Sequence, residues 1–319
     1  MIKNKFRLTL AAAIAGVALV ACAGPTPSVA QAGDAAARQT GDVVVSPAGI
    51  ATAWIPAGTF TMGSPETEIG RRNNESHQRQ VTISEGFWIG VFPVTQEEWK
   101  RVMGNNPSHF QANPAAGETQ GRRPVENISW YDALVFANRL SIMEGLAPAY
   151  SINGSTNPDD WGETPYWEMS ATWDAVEIVP GANGWRLPTE AQWEFAARAG
   201  TTAAFSNGAS DWEDSASIDS IGWFNFNSGG TTREVGLKQP NPWGLHDIHG
   251  NVFEWVWDWW RAYPNFAETD PAGAASGSFR VYRGGGWGVS ARHARSAYRN
   301  VDSPFRQANF LGLRLVRPS

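Results

Sequence analysis

The residues with the most chemical capacity gather between Phe279 and Arg317, where Arg283, Arg292, Arg295, Arg299, Arg306 and Arg314 stand among glycines and aromatics. A guanidinium is a planar fork of donors. It can hold an anion, or it can bind several backbone carbonyls at once and replace missing ladder bonds. In a loop-rich body the second use is the expectation for Arg283, Arg295 and Arg314. With them Gly284, Gly285, Trp287, Ala291, Ser296, Ala297, Pro304 and Gly312 make a frame of turn-setting and core-filling types. Between the frame positions stand Tyr282, Gly288, Val289, Ser290, His293, Ala294, Tyr298, Asn300, Val301, Asp302, Ser303, Phe305, Ala308, Asn309, Phe310 and Leu313. They follow no periodic core pattern and are the candidate ligand-binding residues. Rings padded by small residues are the composition of antibody paratopes, where rigid amphipathic side chains give contact area at low entropy cost.

Other chemistries are poorly supplied. The single cysteine, Cys22, falls in the targeting segment, which leaves no thiol in the body for a disulfide, a thiolate metal site or a nucleophile. His246 and His249 are spaced as HxxH, but no third ligand stands at matching spacing, and turn or surface histidines are the plainer expectation. His109 has no evident partner, and no GxSxG, P-loop or Rossmann glycine pattern occurs. A formal net charge of −6 provides no basic field for a nucleic acid.

The elements that must position the tail are irregular. Seventeen Trp and 33 Gly point to layers wedged by indoles rather than a Leu-packed bundle. Trp54 to Gly63 reads as strand, turn, strand; Gln80–Ile83 and Phe87–Gly90 read as further strands. Three helix starts are marked: Thr95-Gln96-Glu97-Glu98, with Gly104 as its stop; Ser129 before Trp130 to Glu144, with Gly145 as its stop; and Thr189-Glu190-Ala191-Gln192, closed by Gly200. Ala133, Phe136, Ala137 and Leu140 share one face of the middle helix. Ser151 to Gly184 is punctuated by Asn-Gly, Asn-Pro and Trp-Gly pairs and reads as an excursion with short hairpins, and 228 to 243 as loop. Trp255 to Trp260 is expected to wedge the core, with an edge indole as a possible sugar platform in the alternative.

At the start, Lys3, Lys5 and Arg7 precede an apolar run from Leu8 to Val20, a signal peptide over residues 1–22. Leu19-Val20-Ala21-Cys22 resembles the lipobox of bacterial lipoproteins, which implies lipidation of Cys22. Ala23 after it resembles the pattern that sorts to the outer membrane. Residues 23–46, rich in Ala, Gly, Pro and Ser, read as a flexible tether, and 47–319 as one domain.

Gly58-Thr59-Phe60-Thr61-Met62-Gly63, Arg123-Pro124-Val125, Arg186-Leu187-Pro188-Thr189-Glu190-Ala191-Gln192-Trp193-Glu194, Gly250-Asn251-Val252-Phe253-Glu254-Trp255 and Arg283-Gly284-Gly285-Gly286-Trp287 to Gly312-Leu313-Arg314 resemble successive motifs of the formylglycine-generating enzyme family. The resemblance runs from about residue 50 to 317. It implies an α+β, C-type-lectin-like fold, irregular and low in regular secondary structure. The family's oxidases bind copper through a cysteine pair in the segment that here runs Gly284 to Arg299. Soft Cu(I) needs thiolates; Val289, Ser290, His293 and Ala294 stand there instead, so neither copper nor formylglycine generation is expected. The resemblance also implies structural calcium at Asp247, Gly250, Val252 and Glu254, through two side chains and two carbonyls. The alternative is a capped turn with Glu254 accepting N–H groups.

A narrower likeness joins the tail to the variable regions of diversity-generating retroelement targets, whose frames resemble RVxRGGxW…RSAxR…GxRLVR. Adenine-directed mutagenesis of Asn codons cannot yield Lys, Glu, Gln, Met or Trp, and none stands at the positions named above; Gln307 departs and is taken as fixed. The expectation is a monomeric, lipid-anchored protein of the bacterial outer membrane that binds an unknown protein or glycan at the cell surface through residues 280–317. The alternative is an enzyme of the same family with non-copper chemistry.

Overall fold

The computed structural model describes residues 38–213 and 215–319. The expected signal peptide, the lipidation site at Cys22 and most of the tether lie outside the described residues. The folded body begins earlier than composition indicated. Val43–Val45, three β-branched residues in succession, form a strand antiparallel to Ala51–Ile55.

Two four-stranded sheets carry the architecture. The first has the order Val43–Val45, Ala51–Ile55, Phe87–Gly90, Val316–Pro318, all antiparallel, so the end of the tail closes on the start of the domain. The second has the order Asn300–Asp302, Arg280–Arg283, Phe253–Trp259, Leu311–Leu313, its last pair parallel, and takes three of its four strands from the tail. A third sheet joins Gly58–Met62, Arg79–Ile83 and Glu268–Thr269. Trp54 to Gly63 thus holds the two expected strands, but they do not pair with each other. Trp54 lies opposite Trp88 and Phe60 opposite Val81, in different sheets. Pro56 between them has no N–H to give to a ladder.

The three helices start where their caps stand. Thr95 Oγ1 accepts from Glu98 N at 3.3 Å, and Glu98 Oε2 from Thr95 N at 2.8 Å. Ser129 and Asp132, and Thr189 and Gln192, repeat the reciprocal pattern. The helices run Gln96–Met103, Trp130–Met143 and Glu190–Arg198. Gly104 ends the first with φ +80°, but the third turns left-handed at Ala199, φ +46°, one residue before Gly200. In the excursion, Tyr150–Ser151 pairs with Glu177–Ile178.

Tryptophans wedge the centre as expected. Trp130 and Trp255 are fully buried and donate their indole N–H groups to Val256 O and Ile128 O at 2.9 and 3.1 Å. The Arg280 guanidinium lies between the rings of Trp130 and Trp259, 3.6 and 3.5 Å from their centroids, while its Nη1 donates to Trp257 O at 2.6 Å. A cation held between two ring faces fills the layer without needing a carboxylate. Trp260, at the end of the run, is exposed.

Candidate recognition face

The second sheet and the loops after it gather one aromatic cluster beneath the tail, with Phe310 at its accessible edge. Phe253 meets Tyr282 edge-on at 5.0 Å, Phe310 at 5.9 Å and Tyr298 at 6.4 Å between centroids. Tyr282 also packs on Trp255 at 5.6 Å. Polar groups surround these rings. His293 stands edge-on to Tyr298 at 5.0 Å, and Asn300 Nδ2 donates to Tyr282 Oη at 2.8 Å. The Arg72 guanidinium lies 5.0 Å from the Tyr298 centroid. Burial raises the Tyr282 phenol pKa above its ordinary value; Asp302 and Tyr298 add to the rise, and Arg306 and Arg72 oppose it. The Tyr282 phenol is therefore neutral, and its oxygen accepts from Asn300 under a rim of mixed charge.

The free positions of the tail divide between floor and rim. Tyr282, Ala294, Tyr298, Ala308 and Leu313 are buried, which corrects their expected place on a display surface. Leu313 lies in a strand parallel to Trp255, so its side chain belongs to the core. Ala294 closes against Gly285 and gives its carbonyl to His249 Nδ1 at 2.8 Å. The tyrosines fill the aromatic layer that a two-residue alternation over so short a strand does not reveal. Gly288 is exposed. Val289, Ser290, His293, Asn300, Val301, Asp302, Ser303, Phe305, Asn309 and Phe310 are half-buried and form the accessible part. Val289, Phe305 and Phe310 rest on the main core, and Val301 on the second.

The arginine frame is internal. Arg283 gives Nη1 to Ala297 O at 2.9 Å and Nη2 to Ser296 O at 2.8 Å, and pairs with Glu194. Arg295 holds Glu75 through Nη1 and Nη2 at 2.9 and 2.7 Å, with Gly70 O at 2.9 Å. Arg299 Nη2 meets Glu190 Oε2 at 2.6 Å. These forks pin the tail to the segment around Glu75 and to the helix Glu190–Arg198. Arg306 is exposed, with Asp302 at 3.8 Å.

The same locking accounts for the acidic stretch expected to hold calcium. Glu254 accepts from Arg314 on both oxygens and from Trp193 Nε1 at 2.7 Å; Asp247 accepts from Gly236 N at 2.8 Å and Asn251 Nδ2 at 3.3 Å. A cation on Glu254 would stand against the Arg314 guanidinium, so as placed Glu254 does not fit the calcium expected at Asp247, Gly250, Val252 and Glu254; the two carboxylates are held by protein donors instead. His246 and His249 point to different partners: His246 Nδ1 bonds Lys238 O at 2.8 Å, while His249 is buried, with Nε2 accepting from Ser206 N at 3.1 Å. Among the described residues no group of three or more His, Cys, Asp or Glu side chains is arranged to hold a metal ion.

Residues 43–319 match the sulfatase-modifying factor enzyme 1-like domain. The chain belongs to this family. Its fold is the family's α+β, C-type-lectin-like one. Among solved structures it is similar to Treponema denticola variable protein 1, with 40% identity and a TM-score of 0.75 over 85% of this chain and 95% of that one. PvdO from Pseudomonas aeruginosa follows with 25% identity and a TM-score of 0.67, covering 89% and 100%. In sequence it is 36% identical to the chaperone protein LppX of Paenibacillus barcinonensis, over 75% of this chain and 82% of that protein, and 29% identical to the formylglycine-generating enzyme of Mus musculus, over 82% and 73%. The family's oxidase chemistry needs thiolates that this member lacks after Cys22.

Sequence reasoning missed the segment that completes the face. Asn74 Nδ2 donates to Arg299 O at 3.3 Å across 225 residues, which brings Arg72 over Tyr298. A polar run such as Gly70-Arg71-Arg72-Asn73-Asn74 carries no periodic signal tying it to the tail. Phe253 was visible as part of a motif but not as the centre of the ring cluster.

Proposed function

We propose that this member of the family is a ligand-binding protein that acts without oxidase chemistry, using the tail as its recognition face. The observation that carries this is the division within the tail: buried arginines, tyrosines and glycines fix the backbone, while the half-buried His293, Asn300 and Phe310 touch one aromatic floor of Phe253, Tyr282 and Tyr298. Rings and small polar residues on a rigid scaffold supply contact area at low entropy cost. The likeness to a variable protein supports retroelement diversification of the accessible positions. The relative named as a chaperone supports a polypeptide ligand. We place the protein on the outer membrane, anchored through Cys22, with the domain held out by the residues before Val43. No helix among the described residues is long and apolar enough to cross a membrane.

A ligand captured from cell-surface extracts by the purified protein should be lost by Phe305→Ala and Phe310→Ala with the thermal transition retained. Stoichiometric Cu(I) binding with oxidation of a cysteine-containing peptide would overturn the proposal. A near-copy of the tail's coding segment beside a reverse transcriptase, differing at adenines, is expected in the genome. Its absence would remove diversification and leave binding standing.

A further inference from the structure

A cavity of about 330 Å³ is lined by Ile83, Ser84, Glu85, Phe87, Arg186, Gln192 and Asp270 among others, and none of these belongs to the recognition face. Its volume stands at the lower end of the roughly 300–1,000 Å³ of small-molecule sites. Its inner wall carries a guanidinium with spare donors. Arg186 Nη1 donates to Leu187 O at 3.0 Å and Gln192 Oε1 at 2.8 Å, which fixes the plane of the group. Among the described residues Nε and Nη2 have no acceptor, and no carboxylate stands at ion-pair distance. Arg283, Arg295, Arg299 and Arg314 differ, since each is paired with a buried Glu carboxylate.

Two carboxylates stand at the mouth. Asp270 accepts from Ser84 N at 2.9 Å and from the Ser84 hydroxyl, which fixes its direction, and Glu85 is exposed. One half-buried cation and two exposed anions give the cavity a dipolar character. A simple anion such as phosphate would meet the carboxylates on entry. A molecule with a carboxylate at one end and an ammonium a few atoms away matches both: the carboxylate takes the free edge of Arg186 in a two-pronged pair, and the ammonium meets Asp270 and Glu85. We propose that this cavity binds a small zwitterion of the α-amino-acid type.

Calorimetric titration of the full chain in detergent with each common L-α-amino acid tests it, with acetate, inorganic phosphate and dialanine as companion probes. At least one amino acid is expected to saturate, with acetate and phosphate weaker by about tenfold or more. Arg186→Gln should weaken that binding by about tenfold or more. Glu85→Gln, at an exposed position that does not depend on the fold, should weaken amino-acid binding and leave acetate binding unchanged or stronger. No saturation below about 10 mM for any amino acid would overturn the proposal. So would phosphate or acetate binding as tightly as the best amino acid, dialanine binding more tightly than any of them, or unchanged affinity in a folded Arg186→Gln or in Glu85→Gln.

Discussion

Arg314 holds Glu254 in a two-pronged ion pair, with Nη2 2.8 Å from Oε1 and Nε 3.0 Å from Oε2, and both side chains fully buried. The remaining guanidinium donors reach Gly90 O, Val91 O and His246 O, each at 2.8 Å, so one side chain ties the tail to the first sheet and to the loop before the second. Removing one member leaves the other charged and unpaired in the core. Glu254→Ala is expected to cost about 3–5 kcal/mol in urea unfolding. Because the carboxylate is held by protein donors, EDTA should leave the wild-type thermal midpoint unmoved and added calcium should not raise it. A chelator-induced drop would restore calcium to this stretch.

Tyr298 and Phe305 should separate core from rim. Tyr298 is buried against Phe253 and His293, and Tyr298→Ala is expected to cost about 3 kcal/mol in chemical denaturation. Phe305 is half-buried, and Phe305→Ala should stay within about 1 kcal/mol. Equal losses at both positions would place Phe305 in the core as well.

The distinction between those two residues shows how far the sequence carries. Caps at Thr95, Ser129 and Thr189 were legible because a cap is a local bargain between residues three apart. The internal use of Arg283, Arg295 and Arg314 was legible from their chemistry in a loop-rich chain. The burial of Tyr282 and Tyr298 was not, since it depends on Phe253 from another strand, and Arg72 reaches the face only through long-range bonds such as Asn74 to Arg299. Val43–Val45 was read as tether because its partner strand, not its composition, makes it part of the sheet.

Glu126 supplies a pH signature. It is fully buried, its Oε1 accepts from Phe110 N at 2.8 Å, its Oε2 has no partner, and burial pushes its pKa up to about 7 from a carboxylate value of 4.5. A carboxyl whose folded pKa is raised favours the fold while protonated, so its contribution is full below about pH 4.5 and is lost as the pH rises towards 7. Glu126→Gln keeps an acceptor for Phe110 N without the ionisation. It should exceed wild type by about 3 kcal/mol at pH 8, with the gap closing towards pH 4.5. A gap independent of pH would mean that Glu126 does not titrate in this range.

Ala199 ends its helix with φ +46°, a left-handed conformation that a side chain resists. Ala199→Gly should stabilise the protein by about 0.5–1 kcal/mol in urea titration, because glycine takes the left-handed conformation at a helix end without a Cβ clash. A loss would show that packing of the buried methyl outweighs the backbone strain.

The division of the tail into a fixed frame and a displayed rim is tested most directly by a cell-displayed library randomised together at Ser290, His293, Asn300, Asp302, Ser303, Phe305 and Asn309, sorted first for protease resistance and then against unrelated soluble proteins. Most members should resist protease as the parent does, and selection should return binders to targets the parent ignores. A library that is mostly cleaved, or an intact one that returns no binder to any target, would contradict a recognition role for this face.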